Sequence, residues 1–118
     1  MTQDFLDTLI PQETGDRFFE ALYGDASEGA YDIRLKFSTA DEKQIVLAFD
    51  LTQRPGKCLV CSLTYGLPNV FSRHPLINIK NIVEKIEEKG VCVKKWRLGE
   101  TREINSSNHT IPFYLELV

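Results

Sequence analysis

The sequence has no apolar run that approaches the roughly 18–20 residues needed by a membrane-spanning helix. Its first residues, MTQDFLDTLIPQET, are acidic and lack the basic stretch followed by an apolar stretch that marks a secretory signal. Cysteine is scarce, and the three cysteines are an odd number, which is not typical of a secreted disulfide framework. We therefore expect a cytoplasmic protein that does not span a membrane.

Basic residues are also in the minority, with 14 Lys and Arg against 17 Asp and Glu and a net charge of −3. The densest basic cluster is Lys94, Lys95 and Arg97, with Arg102 beyond it, and strand alternation would split this cluster between two faces. Because nucleic-acid binding usually requires a basic face, the sequence argues against a nucleic-acid partner. The 118 residues contain no repeat or long linker, which predicts a single domain over residues 1–118.

No Gly-rich phosphate loop, nucleophile elbow or metal-binding helix motif occurs, and the sequence predicts no cofactor. The one suggestive motif is Cys58-x-x-Cys61, but redox dithiols begin a helix, and the SLTYG that follows is a poor helix start. On a strand, residues three apart lie roughly 10 Å apart, too far for a disulfide. Zinc would need a fourth ligand beyond these two and Cys92, from His74 or His109. We therefore expect Cys61 in the core and Cys92 at least partly buried. Metal, redox or Cys–His chemistry are the alternatives.

Hydrophobic periodicity predicts two short helices before residue 24, then strands over AYDIRLKFS, QIVLAFDL and KCLVCSLTYG. The expected inward residues of the first two strands are Tyr31, Ile33, Leu35, Phe37, Ile45, Leu47, Phe49 and Leu51. Short turns between these strands indicate an antiparallel meander.

An amphipathic helix is predicted within HPLINIKNIVEKIEEKG, followed by strands over VCVKKWRLG, TREIN and TIPFYLELV. The apolar stripe of this helix would be Leu76, Ile79, Ile82, Val83 and Ile86. Imperfect alternation in VCVKKWRLG predicts a bulge or a twist. Pro112 lacks an N–H, so the last strand should lie at an edge of the sheet or have one free side at that residue.

The predicted fold is therefore α+β, with helices packed on one face of a mostly antiparallel sheet of five or six strands in the order α-βββ-α-ββ(β). The other face would carry a mixture of polar and apolar side chains, which hints at dimerisation or partner docking. The residues expected on that face are Arg34, Lys36, Gln44, Val46, Ala48, Asp50, Cys58, Val60 and Tyr114.

Candidate binding residues lie in the Pro-rich connection YGLPNVFSRHPLIN, because apolar side chains in such a segment can mark a binding surface. They are Leu67, Val70, Phe71 and His74, with the one tryptophan, Trp96, as a candidate aromatic anchor. The alternative interpretation is that these apolar side chains cover the end of the core and that His74 is a surface residue.

The order of elements resembles that of bacterial secretion chaperones, which usually close with a further helix that this sequence lacks. It also resembles ubiquitin-conjugating-like and RWD domains, since Tyr65-Gly-Leu-Pro68 is similar to their Pro-rich signature, although the strands after the second helix depart from that pattern. Both are resemblances of topology and imply little about function.

The leading hypothesis is a non-catalytic protein-interaction domain, adaptor-like or chaperone-like, with a homodimer as one form of it. The alternative is a small-ligand-binding protein or enzyme with a pocket near Tyr65–His74 and Trp96.

Overall fold

The computed structural model describes residues 2–11, 13–23, 31–56, 67–73 and 77–118. In chain order the elements are α1 (Gln3–Leu9), α2 (Glu13–Tyr23), β1 (Tyr31–Ala40), β2 (Gln44–Gln53), α3 (Leu67–Arg73), α4 (Ile79–Glu87), β3 (Val93–Leu98), β4 (Arg102–Asn105) and β5 (Asn108–Leu117). The segment after residue 66, expected as an irregular connection, forms helix α3. The third predicted strand, with Cys58, Val60 and Cys61, lies outside the described residues.

The described strands form one antiparallel sheet in the order β1-β2-β5-β3, and β4 also pairs with β5. This arrangement confirms the predicted α+β class with an antiparallel sheet. Strand β2 is paired with both β1 and β5 from Ile45 to Thr52.

Alternation divides the sheet into two faces. On the core face, Leu35 pairs with Phe49, and Phe49 pairs with Ile111, so one row of apolar side chains crosses three strands. The inward positions predicted for β2 are buried, as are Tyr31, Ile33 and Leu35 of β1. Phe37 is an exception at 47% exposed, because it lies on an outer strand of the described sheet beside the register shift before Thr39.

Aromatic side chains connect the helices to the sheet. The Phe71 ring of α3 lies edge-on to Phe18 of α2 at 5.6 Å and to Phe49 of β2 at 5.3 Å between centroids. Phe49 stacks on Phe113 at 5.7 Å, and Trp96 meets Phe113 edge-on at 6.1 Å. Such pairs add to the stabilisation that comes from burial of the rings. The hydrophobic cluster around them includes buried side chains from all four described helices.

Helix α4 confirms its predicted stripe, with Ile79, Ile82, Val83 and Ile86 buried, while Leu76 lies outside the described residues. Its N-cap is Asn78, whose side-chain oxygen accepts a hydrogen bond from the Asn81 N–H at 3.3 Å. Asn78 has φ of +47°, a left-handed conformation that asparagine tolerates better than most residues. The helix therefore begins after the predicted Pro-rich connection.

Pro112 interrupts the pairing on one side of β5. Strand β5 is central, so Pro112 does not lie at a sheet edge. On the side toward β3 and β4, Pro112 has no ladder partner among the described strands, which agrees with the other predicted placement. The Pro112 carbonyl accepts a hydrogen bond from the Gly99 N–H at 2.8 Å. Because the N–H and C=O of a residue point toward the same neighbouring strand, the missing N–H also falls on this side. Regular pairing stops at Leu98 and resumes at Arg102, and this break separates β3 from β4.

Candidate functional site

The second face of the sheet, opposite the core, carries residues that the sequence assigned to it. The register aligns Arg34, Asp50 and Thr110 in one row, and Lys36, Ala48 and Pro112 in the next. A further row runs through Val46, Tyr114 and Arg97. Val46 and Pro112 are buried, whereas Ala48 and Tyr114 are partly exposed, so the second face mixes apolar and charged side chains.

In the described part of the chain, two grooves open near this face. The first, here called the charged groove, has a volume of about 550 Å³. It is lined by Asp7, Ile10, Asp32, Ile33, Arg34, Lys36, Asp50 and Thr52. The second, here called the arginine groove, has a volume of about 580 Å³. It is lined by Pro68, Asn69, Arg97, Leu98, Gly99, Glu100, Thr101, Arg102 and Tyr114.

The charged groove is neutralised by its own side chains. Asp50, only 8% exposed, accepts hydrogen bonds from Asn108 Nδ2 at 2.9 Å and from the Thr52 hydroxyl at 3.2 Å. Its Oδ2 also lies 3.5 Å from Lys36 Nζ. Such bonds to a charged group stabilise a carboxylate that burial would otherwise disfavour. Asp50 is therefore part of a satisfied structural network.

The remaining acids of the charged groove are also paired. Asp32 accepts from Arg54 Nε at 3.0 Å, and Arg54 Nη2 reaches Asp16 of α2 at 2.7 Å. Arg34 donates to both carboxylate oxygens of Asp7, at 3.1 Å each, and so links β1 to α1. The Arg34 hydrogen bonds, assisted by one from Gln3, lower the pKa of Asp7 below its ordinary value of 3.8.

Replacing Arg34 with glutamine should raise the pKa of Asp7 toward its ordinary value, because the largest cause of its depression is removed. A carboxyl whose pKa is lowered by folding stabilises the fold above its unfolded pKa, and that contribution is lost as the pH falls through the lowered value. The advantage of the wild type over the variant should therefore be present at pH 7 and disappear in strong acid. NMR titration of the Asp7 carboxyl, with chemical denaturation across the same pH range, measures both effects.

Asp41 is the internal control for that titration. Its pKa is lowered by hydrogen bonds from the backbone N–H groups of Lys43 and Gln44, which do not involve Arg34. It should titrate identically in both proteins. An unchanged Asp7 pKa in the variant would contradict the assignment of its depression to Arg34.

The arginine groove differs because its cations have no carboxylate partner among the described residues. Within the described part of the chain, neither Arg97 nor Arg102 forms an ion pair. Arg97 instead lies over the Tyr114 ring, with Cζ 3.9 Å from the centroid. Stacking of this kind fixes the guanidinium plane and leaves its N–H edge available for hydrogen bonding.

The base of the arginine groove is formed at the break between β3 and β4. Gly99 packs so closely that a Cβ there would lie 3.1 Å from Tyr114 Cε2 and 3.3 Å from Pro112 Cβ. A larger residue at position 99 would therefore displace Tyr114, and with it the stacked Arg97. Proline in β5 and glycine opposite it thus produce the recess beside the two arginines.

Of the predicted binding residues, the four that the structure describes do not line either groove. Leu67 and Phe71 are buried in the hydrophobic cluster, and Trp96 is half-buried against Phe113. Val70 is exposed at 37%, and His74 lies outside the described residues. Ligand binding by this set stays a prediction. The arginine groove nevertheless joins the same two regions, through Pro68 and Asn69 on one side and residues 97–102 on the other.

Sequence reasoning identified Arg97 and Arg102 as basic but did not place them together. Strict alternation would place Arg97 and Arg102 on opposite faces of the sheet, because they are five positions apart. The three residues between β3 and β4 break that alternation, so both side chains lie on the same face. The useful signal was Pro112, which predicts interrupted pairing opposite itself.

The remaining cysteine, Cys92, is exposed, which corrects the expectation that it is at least partly buried. It lies in the connection between α4 and β3, outside the regular sheet. In the described ranges, no three His, Cys, Asp or Glu side chains gather as metal ligands, and no helix has the length and apolarity to cross a membrane.

No protein-family model matches this sequence, and no curated protein or solved structure matches it either.

Proposed function

We propose that this protein is a non-catalytic protein-binding domain that receives its partner on the second face of the sheet. The proposal rests on two exposed arginines of that face, Arg97 and Arg102, and on the partly exposed Tyr114 beside Arg97. Neither arginine has an ion-pair partner among the described residues. Arginine and tyrosine are enriched among the residues that dominate binding energy at protein interfaces. The exposed thiol of Cys92 and the odd cysteine count support a reducing, cytoplasmic location.

The charge of the second face supports a binding role as well. Among the paired residues of the described strands, five basic side chains project there: Arg34, Lys36, Lys95, Arg97 and Arg102. The acidic residues on the same face of these strands are three: Asp32, Asp50 and Glu116. This face is thus locally basic although the chain carries a net charge of −3. A local field of opposite sign to the whole protein favours one orientation of approach for an acidic partner.

Site-specific photo-crosslinking tests this proposal even though the partner is unidentified. Benzoylphenylalanine in place of exposed Lys95 on the second face should form covalent complexes with a partner protein in cells that produce this protein naturally. The matched control places it at Lys80, which is exposed on helix α4 and is not on a strand of the sheet. Complexes from position 95 that are absent from position 80 would support the proposal. No complexes from position 95, or equal yields from both positions, would overturn it.

A homodimer is one form of this proposal, and light scattering of the purified protein would identify it. A crosslinked product with twice the mass of the chain would give the same answer independently.

The alternative function, binding of a small ligand, is favoured by the volume of the arginine groove. About 580 Å³ lies within the range usual for ligand pockets. Such a ligand would carry an oxyanion, since two arginines line the groove. Because Arg97 stacks on Tyr114, a ligand that binds there should change tyrosine fluorescence in a metabolite titration. No response across a panel of anionic metabolites would remove this alternative.

A further inference from the structure

We infer that the arginine groove binds an acidic, extended segment of a partner protein, with Arg97 and Arg102 as the residues that pair with its carboxylates. This inference rests on the proposed function and specifies the chemistry of the partner. It depends on the contrast between the two grooves. The charged groove has a partner for each of its charged side chains, whereas the described carboxylates leave both arginines of the second groove unpaired.

The geometry of Arg97 suits carboxylate recognition. Its guanidinium lies 3.9 Å above Tyr114, so its orientation is fixed before a partner arrives. A fixed planar fork can donate two parallel hydrogen bonds to one carboxylate, and less side-chain freedom is lost when it binds. Arg102 is exposed at the start of β4, on the other side of the break at residues 99–101. Two cations across one recess match an extended chain that carries more than one acidic residue.

The charge on neighbouring residues favours an acidic partner over a second copy pairing through the same surface. Lys95 precedes Arg97 on the second face and pairs there with Glu116, whose Oε2 lies 3.2 Å from Lys95 Nζ. Lys94 lies at the register shift within β3 and has no ion-pair partner among the described residues. In a two-fold interface centred on the arginine groove, the cations nearest the symmetry axis would face their own copies, which is unfavourable. Among the described residues that line the groove, Glu100 is the one acid, so the lining is net basic.

Fluorescence anisotropy with a labelled peptide tests the inference on the full chain. The probe is an eight-residue peptide of alternating glutamate and alanine, and the comparison peptide has glutamine in place of glutamate. The glutamate peptide should bind and the glutamine peptide should not. Arg97→Gln and Arg102→Gln should each weaken binding about tenfold, as expected for loss of a charged hydrogen-bonding partner.

Two further variants and one competing ligand distinguish specific recognition by the two arginines from a general effect of charge. Lys80→Gln removes the same charge from α4 and should leave the affinity unchanged. Arg97→Lys keeps the charge but removes the planar fork, so it should bind with intermediate affinity. Inorganic phosphate should compete only weakly, because it cannot span both arginines as a peptide does. Thermal unfolding of each variant verifies that it is folded.

Equal loss of affinity in Lys80→Gln and Arg97→Gln would overturn the inference, since binding would then depend only on net charge. Absence of binding by the glutamate peptide, or binding of phosphate alone, would also overturn it. If crosslinking at position 95 still captured a protein, the protein-binding function would stand without this recognition chemistry. If the peptide bound but no protein were captured, the protein-binding function would fail separately.

Discussion

Replacing Phe71 with alanine is expected to lower the free energy of unfolding by about 3–5 kcal/mol. Phe71 is fully buried, and its ring connects Phe18 of α2 to Phe49 of β2. Alanine would leave a cavity at the junction of a helix and the sheet, where both aromatic neighbours lose a contact. Because alanine favours the helix at least as well as phenylalanine, the loss would come from packing.

Val70→Ala is the matched control for this measurement. Val70 precedes Phe71 in α3 but is 37% exposed, so its truncation should change the free energy of unfolding by no more than about 0.5 kcal/mol. Urea denaturation of both variants and the wild type gives the comparison. Unchanged stability of Phe71→Ala would contradict its place in the core. The sequence-based prediction that Phe71 contacts a ligand would then be the stronger interpretation.

Asp50→Ala is expected to lower the free energy of unfolding by about 1–3 kcal/mol. The substitution removes the acceptor for Asn108 Nδ2 and the Thr52 hydroxyl, and the anionic neighbour of Lys36. Because Asp50 is almost buried, the donors left behind are only partly reached by water. The loss should thus exceed that of an ordinary surface carboxylate.

Asp50→Asn separates the two contributions of this side chain. Asparagine keeps the shape and one acceptor oxygen but removes the charge, so it should cost less than alanine. Glu87→Ala, an exposed position on α4, provides the surface reference and should be close to neutral. If Asp50→Ala were as stable as Glu87→Ala, the satisfied network would contribute nothing to the fold. The charged groove would then become a candidate for ligand binding.

The parts of the fold that were predictable share a local cause. Strand β1 alternates apolar and polar residues with a period of two, the large apolar residues of β2 recur at every second position from Ile45 to Leu51, and the stripe of α4 repeats with the helical period. These patterns depend only on residues a few positions apart. Helix α3 was missed because Pro68 near its start and Gly66 before it are typical of a loop, although proline is well tolerated in a first helical turn.

The arginine groove was not predictable because it depends on pairing between distant segments. Arg97 meets Tyr114 only because β3 pairs with β5 in one register, and a shift of one residue would turn Arg97 toward the core. The break at residues 99–101 then sets where Arg102 lies. Loop closure and packing of the whole sheet fix that register, and no local pattern encodes it.

By itself the sequence determined the α+β class and the alternating faces of β1 and β2, and it limited Pro112 to a sheet edge or a free side of its strand, because each follows from backbone chemistry or a short-range period. Only the tertiary structure decided which charges are paired. It paired Asp7 with Arg34 and Asp50 with Lys36. Among the described residues, no carboxylate forms an ion pair with Arg97 or Arg102. The physical reason is that ion pairing depends on separations of a few ångströms between residues far apart in the chain.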